Sequence, residues 1–323
     1  MPQPPKTNKE LLFFKPLLKS RVWGGQKFST HLKRPLPKDE KIGESWEIVD
    51  RTDDQSVIAN GPFAGMTLRS LLEQKGKDIL GPNYRSDTPF PILVKWLDCS
   101  ETLSLQVHPN PNNAHIKGEE CKTENWYVVD REEDAKIYLG LTKGTTKSQF
   151  INALDSKQLS TVLHTVQSQK EDSYLIPSGT VHAIGAGHLI LEIQQNSDTT
   201  YRVYDWDRNG LDGKPRELHR DKSLNSMQFN NLEYFPKRIQ GSHSVLADTD
   251  QFRISAFKLS PENPPLHLEA GQSPRIIHMI EGCLENTLTH QRLVRGDNAL
   301  LAFISEAALR AVDSASFLIT DHF

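Results

Sequence analysis

Short runs in which apolar and polar residues alternate recur along most of the chain, separated by turns rich in glycine and proline. Residues 103–109 and 122–129 show the alternation clearly, and further strand-like runs lie at 11–16, 43–49 and 188–194. Successive side chains of a strand point to opposite faces of its sheet, so a period of two predicts β-strands. The pattern predicts a mostly β protein made of antiparallel jelly-roll sheets.

A few segments have the spacing of helices instead. Residues 67–80 begin with Thr67 as a plausible N-cap, and residues 146–167 place apolar side chains mostly three or four positions apart. That spacing predicts a helix in the first segment and one or two helices in the second, packed on the N-terminal sheet. A short helical candidate follows at 217–227.

The chain has 323 residues, which exceeds the usual size of a single core and favours two domains. A loop rich in glycine, proline and charge at 207–216 precedes the predicted boundary near residue 235. We therefore predict one β domain over 1–235, which contains both main helical segments, and a second, smaller β domain over 236–323. Histidines of the second domain stand without a carboxylate at ligand spacing, which favours a metal-free, structural module.

Composition narrows the class of partner and the compartment. Lysine and arginine total 38 against 41 acidic residues, and the absence of a basic run argues against nucleic acid as a partner. No apolar run approaches the ~20 residues that span a bilayer, and the N-terminus lacks an apolar signal core. Widely spaced Cys99, Cys121 and Cys283 favour reduced thiols. We expect a soluble cytoplasmic protein with no membrane partner.

The strongest functional signal is the turn at 176–187, Ile-Pro-Ser-Gly-Thr-Val-His-Ala-Ile-Gly-Ala-Gly. Pro177 restricts φ and Gly179 permits positive φ, so the backbone turns sharply and presents His182 at the start of the next strand. A single histidine after such a turn is weak evidence, because most histidines are surface or core residues. Its weight depends on partners elsewhere in the chain.

Suitable partners lie on two strands upstream. The period of two places Gln106 and His108 on the same face of one strand, and Glu124 follows on the next. Together with His182 they offer two imidazoles, one carboxylate and one amide oxygen, a ligand set that suits a borderline divalent cation.

A lysine also stands where a strand is otherwise apolar. Lys95 interrupts the run 90–98, and its charge must reach either water at the sheet edge or an anion. Both interpretations stay open from the residues alone.

Three motifs follow one another along the chain: a Gln-x-His strand, a Lys-Thr-Glu-x-Trp-Tyr strand and a Pro-Ser-Gly-Thr-Val-His turn. In these motifs and their order, the sequence resembles the type I phosphomannose isomerases, a cupin family, in their short bacterial form. The resemblance extends from 22–25 and 43–47 through Arg202. It implies two cupin modules and one zinc ion per chain, held by Gln106, His108, Glu124 and His182. It also implies interconversion of mannose 6-phosphate and fructose 6-phosphate through an enediolate. The expected partner is the sugar-phosphate substrate, and the protein is expected to be a monomer.

The resemblance further implies roles for individual side chains. Arg202 matches a positively charged active-site residue, and Lys95 and Ser104 match positions near the substrate phosphate. Trp23, Glu44 and Trp46 are expected to wall the pocket. For the proton-transferring base, Glu192, Asp198 and Lys122 all match positions near the metal; Glu192 is the first choice because its neighbours are apolar, and its alternative role is to orient His182.

Other functions fit parts of the same pattern. A cupin with these ligands could be an epimerase or an iron dioxygenase acting on another sugar phosphate, or a non-catalytic sugar-phosphate sensor. Gln106 argues against the common iron centre of two histidines and one carboxylate. A sensor would not require an aligned base.

Overall fold

A computed structural model describes residues 10–113, 118–229 and 234–323. Strands dominate these residues and helices are short and few, so the prediction of a mostly β fold is confirmed. The registered strand pairs are antiparallel. Four sheets result, which is consistent with a cupin-type fold, whereas the jelly-roll connectivity stays a prediction.

Strands follow one another through most of the described residues, with helices between some of them. In chain order the strands are β1 Leu12–Lys15, β2 Leu17–Gly25, β3 Ile42–Ile48, β4 Val57–Ile58, β5 Ile92–Cys99, β6 Leu105–Val107, β7 Glu124–Arg131, β8 Lys136–Leu141, β9 Leu163–Gln167, β10 Ser173–Ile176, β11 His182–Ile184, β12 His188–Gln195, β13 Tyr201–Tyr204, β14 His243–Asp248, β15 Arg253–Leu259, β16 Leu266–Leu268, β17 Arg275–Glu281, β18 Cys283–Asn286, β19 Gln291–Val294, β20 Asn298–Leu301, β21 Ala307–Ala311 and β22 Ala315–Asp321. The helices are α1 Lys27–Leu32, α2 Leu68–Leu80, α3 Lys147–Asp155 and α4 Arg220–Ser226, with 3-10 turns at Gly61–Phe63, Pro111–Asn113 and Leu159–Thr161.

The described residues form two compact units. One, the terminal unit, comprises residues 10–17, 47–93 and 238–323, and the other, the central unit, comprises 18–46 and 94–237. This division differs from the predicted domains 1–235 and 236–323, although the second boundary lies close to residue 235. The difference arises because β1 pairs with β20 of the C-terminal part, with Leu12 opposite Leu300, and β4 pairs with β1. Helix α2, predicted in the first domain, consequently belongs to the terminal unit.

The terminal unit contains a seven-stranded sheet, in the order β14-β15-β22-β17-β20-β1-β4, and a four-stranded sheet, in the order β16-β21-β18-β19. Apolar side chains from both sheets, including Met279, Leu284, Leu309 and Phe317, form one buried cluster. Burial of these apolar side chains is the main contribution to the stability of the unit.

The central unit has the same two-sheet plan. Its six-stranded sheet has the order β10-β7-β12-β5-β3-β2, and its five-stranded sheet has the order β13-β6-β11-β8-β9. Trp126 and Ile190 of the first sheet share a buried cluster with Leu139 and Ile184 of the second, so the two sheets pack face to face. A further cluster, which contains Phe150 of α3, covers the five-stranded sheet.

The segment 146–167 is only partly helical. Thr146 forms a capping box with Gln149, and α3 then ends at Asp155. The prediction of helix up to residue 167 is wrong, because β9 pairs with the edge of the five-stranded sheet, with Gln167 opposite Lys136. Backbone hydrogen bonds to a neighbouring strand override a spacing that is helical over only a few residues.

Glycine allows β2 and β3 to approach closely. A Cβ atom on Gly24 would lie 2.4 Å from the backbone nitrogen of Gly43, a distance that no side chain tolerates. The strand that carries Trp23 is thereby held against the strand that carries Glu44. In the described residues, no helix combines the length and the apolar character needed to cross a membrane.

Candidate active site

A cavity of about 590 Å³ opens in the central unit and gathers most of the predicted site residues. Both sheets contribute side chains to its wall. Those among the predicted residues are Trp23, Glu44, Lys95, Ser104, Gln106, Lys122, Glu192, Asp198 and Arg202. The other three predicted ligands, His108, Glu124 and His182, are buried. Residues more than 150 positions apart in the sequence thus share one site.

Strand register explains how the five-stranded sheet contributes. Gln106 of β6 lies directly opposite His182 of β11 on one side and opposite Arg202 of β13 on the other. Directly opposed residues on neighbouring strands project to the same face of a sheet. The pairing therefore places an amide, an imidazole and a guanidinium in one row that faces the cavity.

Glu124 lies between the two histidines. Its Oε2 atom is 3.4 Å from Nε2 of His108, and its Oε1 atom is 3.3 Å from Nε2 of His182. Each of the three residues offers one ligand atom, and these atoms lie within 4.8 Å of one another. This spacing allows one ion to be shared by the three side chains.

Backbone carbonyls orient both imidazoles. Nδ1 of His108 lies 2.9 Å from the carbonyl oxygen of Thr199, and Nδ1 of His182 lies 2.8 Å from that of Thr180. A carbonyl oxygen only accepts, so each Nδ1 carries the proton and each Nε2 presents its lone pair to Glu124. Burial, assisted by Lys122, lowers the pKa of His108 to about 4, and burial also lowers the pKa of His182. Both rings are therefore neutral at pH 7.

The unsatisfied hydrogen-bonding atoms of the cluster are a second, independent indication that these residues fit a metal ion. Nε2 of His108 and Oε1 of Glu124 are buried, yet among the described residues neither has a hydrogen-bond partner. Unsatisfied buried polar atoms are costly, and two that converge indicate a site for a ligand. The set of two imidazoles and a carboxylate is one that borderline divalent cations prefer.

Gln106, the fourth predicted ligand, lies at the same place. Its side-chain Nε2 atom is 3.3 Å from Nε2 of His182. A rotation of the amide by 180° exchanges nitrogen for oxygen without moving the rest of the side chain. The amide oxygen then faces the cluster, as a metal ligand requires.

A row of alternating charges connects this cluster with the open cavity. Nζ of Lys122 lies 2.7 Å from Oε2 of Glu124 and 3.5 Å from Oε1 of Glu192. Nζ of Lys95 lies 3.6 Å from the same atom of Glu192 and 3.8 Å from Oδ1 of Asp198. Although burial lowers the pKa of Lys122, the two carboxylates outweigh it and raise the pKa overall. Burial raises the pKa of Glu124, but Lys122 and the histidines hold it well below its ordinary value.

Glu192 is buried and is oriented by a tryptophan. Its Oε2 atom accepts a hydrogen bond of 3.0 Å from Nε1 of Trp126, the residue opposite it on β7. Its other oxygen faces the two lysines and the cavity. Because His182 donates to Thr180, its orientation does not depend on Glu192, and the alternative role considered for Glu192 has no geometric support.

The charge of Lys95 is directed into the cavity wall. Its Nζ atom lies 4.7 Å from the ring centre of Trp46, a cation–π contact, and its side chain is 4 % exposed. The interpretation of Lys95 as a residue that extends to water at the sheet edge is therefore wrong. Trp46 itself lies behind the cavity surface, where its Nε1 atom donates to Glu44.

Comparison with known proteins decides the family. A sequence profile described as phosphomannose isomerase type I, catalytic domain, matches residues 11–152. The mannose-6-phosphate isomerase ManA of Bacillus subtilis is 41 % identical over 241 residues, 74 % of this chain and 74 % of ManA. The chain belongs to the type I phosphomannose isomerase family. A mannose-6-phosphate isomerase of Streptococcus mutans is 37 % identical over 218 residues, 67 % of either chain. The crystal structure of the B. subtilis mannose 6-phosphate isomerase superimposes with a TM-score of 0.85 at 31 % identity, covering 98 % of this chain and all of that one.

In this phosphomannose isomerase family member, Arg202 combines a fixed backbone with a partly free guanidinium. Its Nη1 atom donates to the carbonyl oxygen of Glu217 at 2.8 Å. Its Nε atom is buried and has no partner among the described residues. Burial, reinforced by Arg216 and Arg208, lowers the pKa of Arg202. An anion in the cavity would satisfy the free donor and offset this crowding of positive charge.

Sequence reasoning missed several cavity residues of this phosphomannose isomerase family member. Arg21 holds both carboxylate oxygens of Glu44, at 3.2 and 2.9 Å. Burial raises the pKa of Glu44, but Lys95 and Arg21 lower it to about 2, so Glu44 stays ionised. Arg216, which binds Asp205, also lines the cavity. The period of two that places Arg21 beside Trp23 on one strand face could have indicated the first arginine; nothing in the sequence distinguishes the second.

Proposed function

We propose that the protein is a zinc-dependent aldose–ketose isomerase that interconverts mannose 6-phosphate and fructose 6-phosphate through an enediolate. The observation that carries the proposal is a buried cluster of two histidines and a glutamate, in which Nε2 of His108 and Oε1 of Glu124 lack hydrogen-bond partners among the described residues, next to a cavity lined by a shielded carboxylate and several cations. The names of the relatives in B. subtilis and S. mutans support the same substrate pair.

In this proposal, Gln106, His108, Glu124 and His182 hold one zinc ion. When bound, zinc supplies a Lewis acid that draws electron density from the oxygens on C1 and C2 of the sugar. Glu124 would be the only charged ligand, because Gln106 and the two histidines are neutral, so one of the two positive charges of the ion would stay uncompensated. The carbonyls of Thr180 and Thr199 keep both imidazoles in the tautomer that presents Nε2.

Glu192 transfers the proton between the two carbons. Its free oxygen faces the cavity, so it can remove the proton from C2 of the aldose and return it to C1. The hydroxyl proton passes from O2 to O1 at the same time, and the carbonyl thereby moves from C1 to C2. Trp126 restricts rotation of the carboxylate, and Nζ of Lys95 and Nζ of Lys122 lie 3.6 and 3.5 Å from its other oxygen. Burial from water reduces competing hydration of the base.

The cations of the cavity select an anionic substrate. We assign the phosphate to the region of Arg202, Ser104 and Lys95, all of which line the cavity. Arg202 has an unused buried donor, and arginine is well suited to phosphate recognition. Glu44, ionised and held by Arg21, can accept hydrogen bonds from sugar hydroxyl groups.

A coupled assay tests the proposal directly. Purified protein supplied with zinc is expected to convert mannose 6-phosphate to fructose 6-phosphate, and chelation is expected to abolish turnover until zinc is restored. Parallel measurement with glucose 6-phosphate controls for general sugar-phosphate activity. Absence of conversion in fully metal-loaded, folded protein would refute the proposed activity.

Lys95→Met is expected to lower kcat/KM for mannose 6-phosphate by roughly 10- to 100-fold, since a buried charge that contacts Glu192 and faces the phosphate region is lost. Arg202→Gln is expected to act in the same direction. Steady-state kinetics with saturating zinc measure both effects. Lys136→Met is the matched control, because Lys136 is also a strand lysine but is exposed. If both site variants retained wild-type kcat/KM, the assignment of the phosphate would be wrong.

A further inference from the structure

A histidine outside the cavity binds the backbone of Arg202 at two points. The backbone N–H of Arg202 donates to Nδ1 of His219 at 3.1 Å, and the backbone N–H of His219 donates to the carbonyl oxygen of Arg202 at 2.8 Å. In addition, the guanidinium of Arg202 donates to the carbonyl oxygen of Glu217. The segment 217–219 thus contacts both the backbone and the guanidinium of Arg202, in addition to the pairing of β13 with β6.

The chemistry of this contact requires a particular protonation state. A backbone N–H can only donate, so Nδ1 of His219 must carry a lone pair and the proton of the neutral ring must be on Nε2. A protonated imidazole has hydrogen on both nitrogens and cannot accept this bond. Protonation of His219 would point the N–H at Nδ1 toward the backbone N–H of Arg202, with the two nitrogen atoms 3.1 Å apart.

The groups that face His219 are few in the described residues. Nε2 lies 3.8 Å from a carboxylate oxygen of Glu217, which is itself largely exposed, and the ring lies against Tyr201. The charges of Arg202 and Lys222 are nearby, and Lys222 in turn lies over the ring of Tyr201. Burial is the largest influence and lowers the pKa of His219. Glu217 opposes this shift, and the charges of Arg202 and Lys222 add to it. The lowered pKa keeps the ring neutral at pH 7, and the ring acquires a proton only in more acidic solution.

We propose that His219 is a positioning residue for Arg202, and that its protonation releases the arginine and lowers activity in mildly acidic solution. This inference rests on the proposed isomerase function, in which Arg202 contacts the anionic substrate. His219 does not touch the substrate and acts only through the backbone of its partner. Position 219 requires a hydrogen-bond acceptor at the place of Nδ1; it requires neither an aromatic ring nor a charge.

Two variants separate the acceptor from the ring. His219→Asn retains an oxygen acceptor near the position of Nδ1 but does not titrate, whereas His219→Leu has similar bulk and no acceptor. At pH 7.5, kcat/KM for mannose 6-phosphate is expected to fall about 10- to 100-fold in the leucine variant, the size of effect that follows from misplacing a substrate-contacting group. In the asparagine variant the loss is expected to stay within about threefold, because the hydrogen bond is retained.

The pH profile distinguishes positioning from a merely structural role. Below the pKa of His219, the ratio of wild-type kcat/KM to that of His219→Asn is expected to decline with falling pH, by up to about tenfold per unit, because only the wild type acquires a proton there. Titrations of other groups are common to both proteins and cancel in the ratio. A constant ratio between pH 5 and 8, or equal losses in both variants, would overturn the inference.

Nitrogen NMR provides a readout that does not depend on turnover. In the wild type at pH 7.5, the His219 ring, assigned by its absence from the His219→Asn spectrum, is expected to show an unprotonated Nδ1 and a protonated Nε2. The opposite tautomer, or a charged ring, would overturn the inference. If the wild type does not isomerise mannose 6-phosphate, the proposed function fails, while the NMR result still tests the contact with Arg202. If the wild type is active and His219→Leu equals it at every pH, only the positioning role fails.

Discussion

Glu192→Gln is expected to abolish most isomerase turnover, with a loss of roughly 10²- to 10⁴-fold in kcat, while the protein remains folded and retains its metal. The amide preserves the volume of the side chain and can still accept from Nε1 of Trp126, the bond that orients Glu192 in the structure. It lacks the basicity that removal of the C2 proton needs. Turnover with saturating zinc, elemental analysis and thermal unfolding measure the three quantities separately.

Asp198→Asn is the matched control for this variant. It removes the same charge from the same lysine, since Asp198 also contacts Lys95, but its side chain is 51 % exposed whereas that of Glu192 is 5 % exposed. We expect a much smaller loss in the control. Exchange of the C2 proton with solvent deuterium should stop in Glu192→Gln; exchange at the wild-type rate would show that another residue is the base. Recovery of activity by excess zinc would instead indicate that Glu192 acts on the metal site.

His182→Ala is expected to eliminate stoichiometric zinc binding and, with it, activity. His182 contributes one of only two imidazoles in a cluster whose ligand atoms lie within 4.8 Å, and its loss leaves one imidazole, one carboxylate and the weakly binding amide of Gln106 to hold the ion. His108→Ala is expected to have the same effect, because the two rings occupy equivalent positions on either side of Glu124. Metal content of the zinc-loaded, dialysed protein is the measurement.

His164→Ala serves as the control for both histidine variants. His164 is a half-buried histidine of the same unit, and its ring contacts the carbonyl oxygen of Leu139 rather than the cluster. It should retain one zinc ion per chain. Circular dichroism of each variant excludes loss of fold as the cause of metal loss. Full zinc occupancy in both His108→Ala and His182→Ala would disprove the assigned site.

Local patterns were sufficient for the strands that carry the site. The alternation in 103–109 and 122–129 predicted strands there, and β6 and most of β7 lie within those runs. The turn before His182 was recognisable because Pro177 and Gly179 restrict the backbone in different ways, and Gly179 indeed has a φ of 89°. Such features depend only on residues that are neighbours in the chain, so they can be recognised from the sequence.

Contacts between distant segments were not predictable in the same way. Residues 47–93 join the C-terminal strands because β1 and β4 complete the sheet of the terminal unit, a pairing that no local pattern reports. The end of the predicted helix at 146–167 became a strand for a similar reason. Backbone hydrogen bonds across a sheet are available to almost any sequence, so the choice of partner depends on the whole fold.

For this protein, sequence alone determined the β character of the chain, the family resemblance and the candidate ligands, since these follow from residue types and short spacings. Tertiary structure decided which side chains meet. It placed Lys95 between Glu192 and Asp198, oriented Glu192 by Trp126, and brought His219 onto the backbone of Arg202. Each of these contacts is an electrostatic interaction or hydrogen bond between different strands or loops. Its strength depends on distance and burial, which only the folded chain defines.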